Sequence, residues 1–319
     1  MDTFIPQRAK DTHFLEIERL LVLYDHLYAM NKYDGVRIIV KDSVVYGKSM
    51  KPIPNSHIQK LYGIPEYENL EAEIIVTTDG IINPTTSCRE TISFINDLDK
   101  VSEHRLVLLD EYITGETTPF KERFKRVCDK YGKFTDTFLI PEYIVFTTVE
   151  ELSAFESSLL ERNHEGIIIR NPYLSYKEGA STKLGHLLRI KRYISEELYV
   201  TGIESSMANN NVSFFNEVNR KTRSSHKENK TPKDEVGVII GTTVKDIRDP
   251  HSNRLICKKG IEIKIAPGSM TKEERQFYFR NPDKLLGKLV KFLSFPKGTK
   301  DKPRFPTFLT IVPDCDTPT

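Results

Sequence analysis

Residues 31–37, which read NKYDGVR, could place a reactive amine at the mouth of a β-strand. A β-branched apolar run follows, is interrupted by two polar residues and resumes, a pattern typical of two paired strands. Gly35 lets the backbone turn close to a ligand, and Asp34 can hold that turn through its own backbone. Lys32 could then be a covalent nucleophile, provided that its surroundings lower its pKa from about 10.4.

The spacing of apolar residues predicts the elements that would position this lysine. A helix is expected over residues 14–28, packed under the hairpin that follows Lys32. Further strands are expected over residues 70–76, 106–110, 165–170 and 187–192, with helices around residues 120–127 and 150–160. Two prolines keep the basic loop at residues 47–55 from forming a regular element.

Charged residues occupy alternate positions of two predicted strands. Glu71 and Glu73 therefore lie on one face of their strand, and Arg189 and Lys191 lie on one face of theirs. Two neighbouring cations need an anion beside them. That anion is either a bound phosphate or, in a simple cross-strand salt bridge, the pair of glutamates.

Length and composition set the general class of the protein. At 319 residues the chain can form two domains, and its net charge of +2 leaves nucleic-acid binding to local basic patches. The four cysteines include no CxxC pair, which argues against a zinc site or a disulfide framework and fits a reducing compartment. No apolar signal core or membrane-spanning run occurs, so we expect a soluble intracellular protein.

The composition changes after Tyr193, and we place a domain boundary near Ser195, giving domains 1–195 and 196–319. Residues 209–233 are mostly polar and carry an excess of lysine and arginine. Short strands are then expected around residues 236–240, 261–265, 288–292 and 307–311, with a helix over 271–279. Several short strands and one helix in about 120 residues predict a small β-barrel.

Six motifs follow one another in order along the first domain: KYDGVR at 32–37, KPIPN at 51–55, LEAE at 70–73, Asp110, EGIIIR at 165–170 and LLRIK at 187–191. This series resembles the nucleotidyltransferase motifs of the ATP-dependent DNA ligases, most closely the short phage- and virus-type enzymes. The segments MANNN, RSSHKENK and GTKDKPRFP are similar to the OB domain of that family. The resemblance covers nearly the whole chain from Tyr28 onward.

The resemblance implies an α+β fold, in which a nucleotidyltransferase (adenylation) domain with antiparallel sheets precedes an OB-fold β-barrel. It also implies an enzyme that joins nicked duplex DNA. Lys32 would take AMP from ATP with release of pyrophosphate, pass it to the 5′-phosphate of the nick, and the 3′-hydroxyl would displace it. The cofactors would be ATP and Mg²⁺ or Mn²⁺. We expect a monomer in the cytoplasm, with no further domain ahead of Lys32 to hold the duplex.

Individual residues receive roles from the same resemblance. Arg189 and Lys191 would contact the α-phosphate and lower the pKa of Lys32. Glu165, together with Glu73, would hold the metal, and Glu73 would also accept a hydrogen bond from the ribose. Arg37 would bind the ribose and the nick phosphate. The full nucleotide set is Asn31, Lys32, Arg37, Glu73, Leu109, Glu165, Arg189, Lys191, Lys302 and Arg304, and the DNA set is Lys48, Arg220, Arg223 and Lys227.

Five positions depart from the family pattern. Glu71-Ala72-Glu73 replaces Asp-Gly-Glu, and Lys48 replaces an arginine, which loses a bidentate phosphate contact. Arg189 replaces a lysine and keeps the charge. Leu109 stands where an aromatic residue commonly stacks on adenine, so the adenine contact would be aliphatic or use Tyr112. Beyond Phe308 the usual basic residue is absent, and Val312-Pro313-Asp314 stands in its place.

Three alternatives to a DNA ligase stay open. Capping guanylyltransferases and RNA ligases share the lysyl-nucleotide chemistry, although RSSHKENK and KPRFP favour a DNA ligase. A non-catalytic nucleic-acid clamp is disfavoured because Lys32, Glu165 and Lys191 are all present. The basic stretch 220–233 is expected to follow the DNA backbone, with a solvated loop as its alternative. Lys302 and Arg304 are expected to close over ATP. The alternative for these two residues is a contact with DNA.

Overall fold

The structure is a computed structural model that describes residues 4–84, 86–113, 115–217, 219–250, 253–299 and 302–313. The chain forms two compact units, one of Met1–Lys191 with Glu217–Asn219 and the other of Arg192–Asn216 with Arg220–Thr319. The predicted domain limits, 1–195 and 196–319, are kept as a proposal.

The first unit alternates strands with helices. Its elements are β1 (Lys10–Asp11), α1 (Phe14–Leu23), β2 (Leu27–Asn31), β3 (Val36–Lys41), β4 (Val44–Gly47), α2 (Ser56–Tyr62), β5 (Leu70–Val76), α3 (Ser87–Asn96), β6 (His104–Glu111), α4 (Phe120–Tyr131), β7 (Phe138–Leu139), β8 (Tyr143–Phe146), α5 (Val149–Glu161), β9 (Gly166–Arg170) and β10 (Leu188–Lys191). A short 3₁₀ turn, Pro65–Tyr67, lies between α2 and β5.

These strands form two five-stranded sheets, ordered β4-β3-β5-β6-β7 and β1-β10-β9-β2-β8. The first packs against α2, α3 and α4 through buried residues such as Ile58 and Phe94. The second packs against α1 and α5, and the isoleucines Ile167 and Ile169 of β9 are fully buried there. Burying each such side chain contributes roughly 1.5–3 kcal/mol. The predicted strands of this unit are confirmed.

The predicted helix over residues 14–28 is wrong at its C-terminal end. The helix ends at Leu23, and Leu27 and Tyr28 belong to β2, which pairs with both β8 and β9. Their helical spacing is overridden because the extended backbone gains two strand partners. The helix also packs on the β2–β9 sheet through Ile17 and Leu20, and not under the β3–β4 hairpin as predicted.

The second unit consists mainly of strands. Its elements are β11 (Ile194–Asn209), β12 (Ser213–Phe215), β13 (Lys221–Arg223), β14 (Lys230–Thr243), β15 (Ile247–Arg248), β16 (Leu255–Cys257), β17 (Glu262–Ile265), α6 (Lys272–Arg280), β18 (Leu289–Thr299) and β19 (Lys302–Ile311), with a 3₁₀ turn at Pro282–Lys284.

Five of these strands form the sheet β17-β14-β11-β18-β19. Beyond the end of β17, Ala266 pairs with Thr307 of β19, and hydrogen bonds of 3.0 and 2.9 Å join Ala266 to Pro306 and Phe308. The sheet therefore closes on itself, as in a five-stranded OB barrel. The predicted barrel is confirmed, while β11, its long first strand, was not predicted.

In the part of the chain that the structure describes, no helix combines the length and apolarity needed to cross a membrane.

Candidate active site

Lys32 lies where the chain passes from one sheet of the first unit to the other, between β2 and β3. Its backbone N–H donates to the Gly166 carbonyl at 3.0 Å. The turn at Gly35 is tight, since a Cβ there would lie 2.4 Å from the Ile74 carbonyl oxygen. The Gly35 N–H donates to Glu73 Oε1 at 3.1 Å. Only glycine fits this turn, and the turn brings Glu73 close to the lysine.

Glu165 joins two lysines in one largely buried cluster. Its Oε2 accepts a hydrogen bond from Lys32 Nζ, and its Oε1 lies 2.5 Å from Lys191 Nζ. The side chains of Lys32 and Lys191 are each 17% exposed, and that of Glu165 is 8% exposed. The register explains the meeting, because Lys191 of β10 pairs with Gly166, the residue that binds the Lys32 backbone. The three predicted residues are thus brought together.

The pKa of Lys32 shifts in the direction opposite to the prediction. Burial by itself would lower the pKa of Lys32, but the carboxylates of Glu165, Glu73 and Asp34 outweigh it and raise that pKa. The pKa of Lys191 is lowered instead, first by burial and also by the positive charge of Lys32. The predicted lowering of the Lys32 pKa by Lys191 and Arg189 is therefore wrong for this arrangement.

The two carboxylates beside Lys32 differ in character. Burial would raise the pKa of Glu165, but Lys32 and Lys191 hold it at about 2, so this group is anionic. Burial raises the pKa of Glu73 to about 7, against the opposing charges of Lys32 and Arg37. The negative charge of Glu165 adds to this rise. A cation placed between the two acids would favour the ionised form of both.

Arg37, which lies on β3, is held by hydrogen bonds to other protein groups. Its Nη2 donates to Glu71 Oε2, and its Nη1 donates to the Gln7 carbonyl at 2.5 Å. Glu71 is fully buried and also accepts a hydrogen bond from the Tyr176 hydroxyl. The Gln7 N–H donates to the same hydroxyl at 3.0 Å, which closes a ring of hydrogen bonds around the guanidinium.

Arg189 forms a two-point contact with Asp11 of β1. Its Nε lies 2.5 Å from Oδ1, and its Nη2 lies 3.2 Å from Oδ2. The hydrogen bond from Arg189 lowers the pKa of Asp11 against a smaller effect of burial. The alternative of a salt bridge from Arg189 and Lys191 to the two glutamates of β5 is therefore wrong, because nearer acids, Asp11 and Glu165, pair with these cations.

The remaining predicted residues of the first unit have separate surroundings. The Asn31 side chain lies 3.3 Å from His164 Nδ1, and Lys48 is exposed in the turn after β4. Leu109 is half-buried at a bulge of β6, between the residues that pair with β5. Tyr112, the alternative adenine contact, stacks on Phe4 at 4.2 Å. Which of these residues contacts adenine stays a prediction.

In the second unit, the basic stretch 220–233 contains β13, which pairs with β12, then residues 224–229 without helix or strand, and then the start of β14. Arg223 donates from Nη1 to the Asn211 carbonyl, while Phe214 and Phe215 are exposed beside it. Arg220 and Lys227 are exposed.

Both of the basic residues predicted to close over ATP are on β19. Lys302 Nζ donates to the Glu262 carbonyl at 2.8 Å, and the Arg304 guanidinium lies over the Phe305 ring at 5.2 Å. Lys300, Asp301 and Asp314, which belong to the quoted motifs, lie outside the described residues.

A buried charge network beneath Arg37 was not predicted. Fully buried Asp110 accepts from Arg123 Nε at 2.9 Å and Nη2 at 3.0 Å, and from Arg170 Nη1 at 3.2 Å. Arg170 also donates to Gln7 Oε1 at 2.7 Å. Removing Asp110 would leave two buried guanidinium groups without their carboxylate, which typically costs about 3–5 kcal/mol.

A sequence signal for this network exists only in part. Asp110 and Arg170 stand in the motif series, but Arg123 lies on an amphipathic helix and Gln7 and Tyr176 lie in irregular segments. Their roles depend on contacts between residues far apart in the chain.

A metal ion would need ligands from the substrate as well as the protein. Among the described residues, no group of three or more histidine, cysteine, aspartate or glutamate side chains could hold one. Glu165 and Glu73 are two carboxylates close enough for the charge of one to raise the pKa of the other. Magnesium is commonly held by one or two carboxylates together with phosphate oxygens, so this pair fits such an ion.

Comparisons with known proteins agree on the fold. No family model matches the chain. A DNA ligase of Halobacterium salinarum is 26% identical over 197 residues, which are 54% of this chain and 34% of that relative. A solved structure from a structure-function study of Lig E DNA ligases has a TM-score of 0.68 at 16% identity and covers 96% of this chain and 98% of that one. The chain has the DNA ligase fold.

A second solved structure, Pmar-Lig, gives a TM-score of 0.66 at 17% identity and covers 97% of this chain and 67% of its own. The predicted α+β architecture, a nucleotidyltransferase domain followed by an OB barrel, is thereby confirmed. This ligase fold is accompanied by a sequence likeness that spans about a third of the curated relatives' length.

Proposed function

We propose that this protein is an ATP-dependent DNA ligase that seals 5′-phosphate/3′-hydroxyl nicks in duplex DNA. The observation that carries the proposal is the cluster of Lys32, Glu165 and Lys191. It combines a buried amine with an anionic carboxylate and a second cation, at the turn where two sheets meet. Phosphoryl transfer needs a positioned nucleophile and charges that neutralise the phosphates, and this cluster supplies both.

In the first step, the uncharged Lys32 amine attacks the α-phosphorus of ATP. A nitrogen–phosphorus bond forms, the bond from phosphorus to the bridging oxygen breaks, and pyrophosphate leaves with the electron pair while the amine gives up a proton. Lys191 and Arg189 would neutralise charge on the α-phosphate. Mg²⁺ or Mn²⁺, held by Glu165 with Glu73, would supply further charge neutralisation and weaken the effect of Glu165 on the Lys32 pKa.

In the second and third steps the adenylyl group leaves the enzyme. A 5′-phosphate oxygen of the nick attacks the lysyl-AMP phosphorus, so that the nitrogen–phosphorus bond breaks and Lys32 regains a proton. The 3′-hydroxyl then attacks the 5′-phosphorus, loses its proton and displaces AMP. Arg37 would contact the ribose and the nick phosphate, and its ring of hydrogen bonds would keep the guanidinium directed.

Replacing Glu165 by glutamine is expected to raise the Mg²⁺ concentration needed for half-maximal adenylation by about tenfold. The change removes the charge that would hold the ion, and even the outer-shell partners of metal ligands are typically worth about ten- to a hundredfold in metal affinity. Mg²⁺ titration of single-turnover adenylate formation measures the shift. A wild-type titration curve in this variant would show that the metal is held elsewhere.

Neutralising Arg220, Arg223 and Lys227 together is expected to flatten the salt dependence of nick binding. Each lost phosphate contact should reduce the log–log slope by roughly one unit, because fewer counterions are released. The measurement is the dissociation constant of a nicked duplex at several salt concentrations. Lys125→Ala, which removes an exposed cation already paired with Asp129, is the control. An unchanged slope in the triple variant would place the basic stretch outside the DNA contact.

We also propose that the enzyme acts as a monomer inside the cell, on nicked duplex DNA. The four cysteines lie far apart in the sequence and include no CxxC pair, which suits a reducing compartment.

The experiment that tests the function compares substrates. Sealing of a nicked DNA duplex with ATP is the expected result. Preference for GTP with no sealing would favour a capping enzyme, and preference for nicked RNA would favour an RNA ligase. Binding without any covalent nucleotide would leave a non-catalytic clamp.

A further inference from the structure

The segment ahead of the first helix runs along residues 176–189 and is bonded to them by its backbone. The Arg8 N–H donates to the Gly179 carbonyl at 2.6 Å, and the Arg8 carbonyl accepts from Ser181 at 3.0 Å. The Lys10 N–H then donates to the Leu187 carbonyl at 3.1 Å. The segment thus ends as β1, a parallel strand beside β10.

This course brings Gln7 against Arg37. Gln7 is 1% exposed, and three of its polar groups each contact a different residue around the site. The carbonyl accepts from Arg37, the N–H donates to the Tyr176 hydroxyl, and Oε1 accepts from Arg170. A displacement of the segment would therefore release the Arg37 guanidinium from one of its two named partners.

The same course brings Asp11 against Arg189. The two residues are direct partners in the β1–β10 register, so the backbone already places the carboxylate beside the guanidinium. Asp11 is 65% exposed and Arg189 is 35% exposed. Ion pairs this exposed contribute little to stability. The two-point contact instead fixes the plane of the guanidinium, which decides where its donors are directed.

We propose that residues 7–11 are a positioning element of the active site, in which Asp11 orients the Arg189 guanidinium toward the α-phosphate of ATP and Gln7 fixes that of Arg37. The inference rests on the proposed function, since it assigns the orientation of a phosphate-binding cation. Asp11 acts through Arg189 and is a positioning residue.

The test is single-turnover formation of the lysyl-adenylate at saturating ATP. Asp11→Asn keeps the size of the side chain but loses the charge and one acceptor oxygen. We expect adenylation to slow by about tenfold, because misdirected phosphate contacts cost a factor of this order or more. Asp11→Glu keeps the charge and is expected to lose less. The thermal midpoint should stay near that of the wild type, as suits an exposed pair.

A double-mutant cycle separates positioning from a general structural effect. In an Arg189→Lys background, which removes the two-point contact, Asp11→Asn is expected to cause little further loss. The control is Glu116→Gln, which breaks a comparable two-point pair with Arg126, at 2.9 and 2.8 Å, in the same unit. That variant is expected to adenylate at the wild-type rate.

Several results would overturn the inference. A wild-type rate in Asp11→Asn, a faster rate, or the same fold loss in both Arg189 backgrounds would each show that Asp11 does not orient Arg189. These results leave the proposed function standing as long as the wild-type protein forms the adenylate. Failure of the wild type to form it would reject the function itself, and the positioning role with it.

Discussion

Replacing Lys32 by alanine is expected to abolish transfer of label from ATP to the protein. Lys32 provides the amine that meets Glu165 at the turn between the two sheets, and alanine removes that amine. The measurement is covalent label retained after denaturation, with a radiolabelled α-phosphate. The free energy of unfolding should be measured alongside, because the substitution also removes a cation from a buried carboxylate.

Lys191 makes this experiment sharper, because it is a second lysine at Glu165 and its pKa is lowered. A lowered pKa is what an attacking amine requires, so the titration behaviour alone would favour Lys191 as the nucleophile. The matched variant is therefore Lys191→Ala, which should adenylate more slowly but still carry label on Lys32. Label on Lys191 in the Lys32→Ala variant would make Lys191 the nucleophile and leave Lys32 as the second cation.

Replacing Lys302 and Arg304 together by alanine is expected to suppress self-adenylation by about a hundredfold, while sealing of a pre-adenylated nick is much less affected. We propose that these residues orient the pyrophosphate for departure from the α-phosphorus, a role that ends once AMP is on Lys32. Positioning of a leaving group is worth a factor of this order. Both residues lie on β19 of the OB unit.

The same two assays can contradict this role of Lys302 and Arg304. Equal loss in adenylation and in sealing of the pre-adenylated nick would assign Lys302 and Arg304 to the DNA contact instead. Lys264→Ala is the control, because Lys264 is an exposed lysine of the same unit whose side chain pairs with Glu204 at 2.5 Å. It should leave both rates near those of the wild type.

The reactive cluster could be predicted because its members belong to the motif series and lie in or next to strands with a strong local pattern. Lys32 borders β2, and Glu165 and Lys191 border or end the strands β9 and β10, whose apolar residues are evident in the sequence. Gly35 and its turn were equally visible, because only glycine permits so close an approach of β5.

The partners of Arg189 and Arg37 could not be predicted, because these partners are far away in the sequence. Asp11 and Arg189 are separated by 178 positions, and Gln7 and Arg37 by 30. No periodicity marks a short segment that is held by backbone hydrogen bonds along another loop. The same limit explains Leu27, whose helical spacing gave way to pairing with two strands.

The direction of the Lys32 pKa shift also could not be predicted from the sequence. The motif indicates which cations lie near the amine, but the shift depends on whether a carboxylate or a cation lies nearer. Glu165 lies in hydrogen-bond contact with Lys32, and the carboxylates of Glu165, Glu73 and Asp34 together outweigh the lowering effect of burial on the Lys32 pKa.

The most direct test of the central claim is the mass of the wild-type protein after incubation with ATP and Mg²⁺, followed by peptide mapping. We predict a mass increase of one adenylyl group, located on Lys32 and removed when pyrophosphate is added, since the first step is reversible. An unmodified mass under these conditions, or an adenylyl group on a residue other than Lys32, would contradict it.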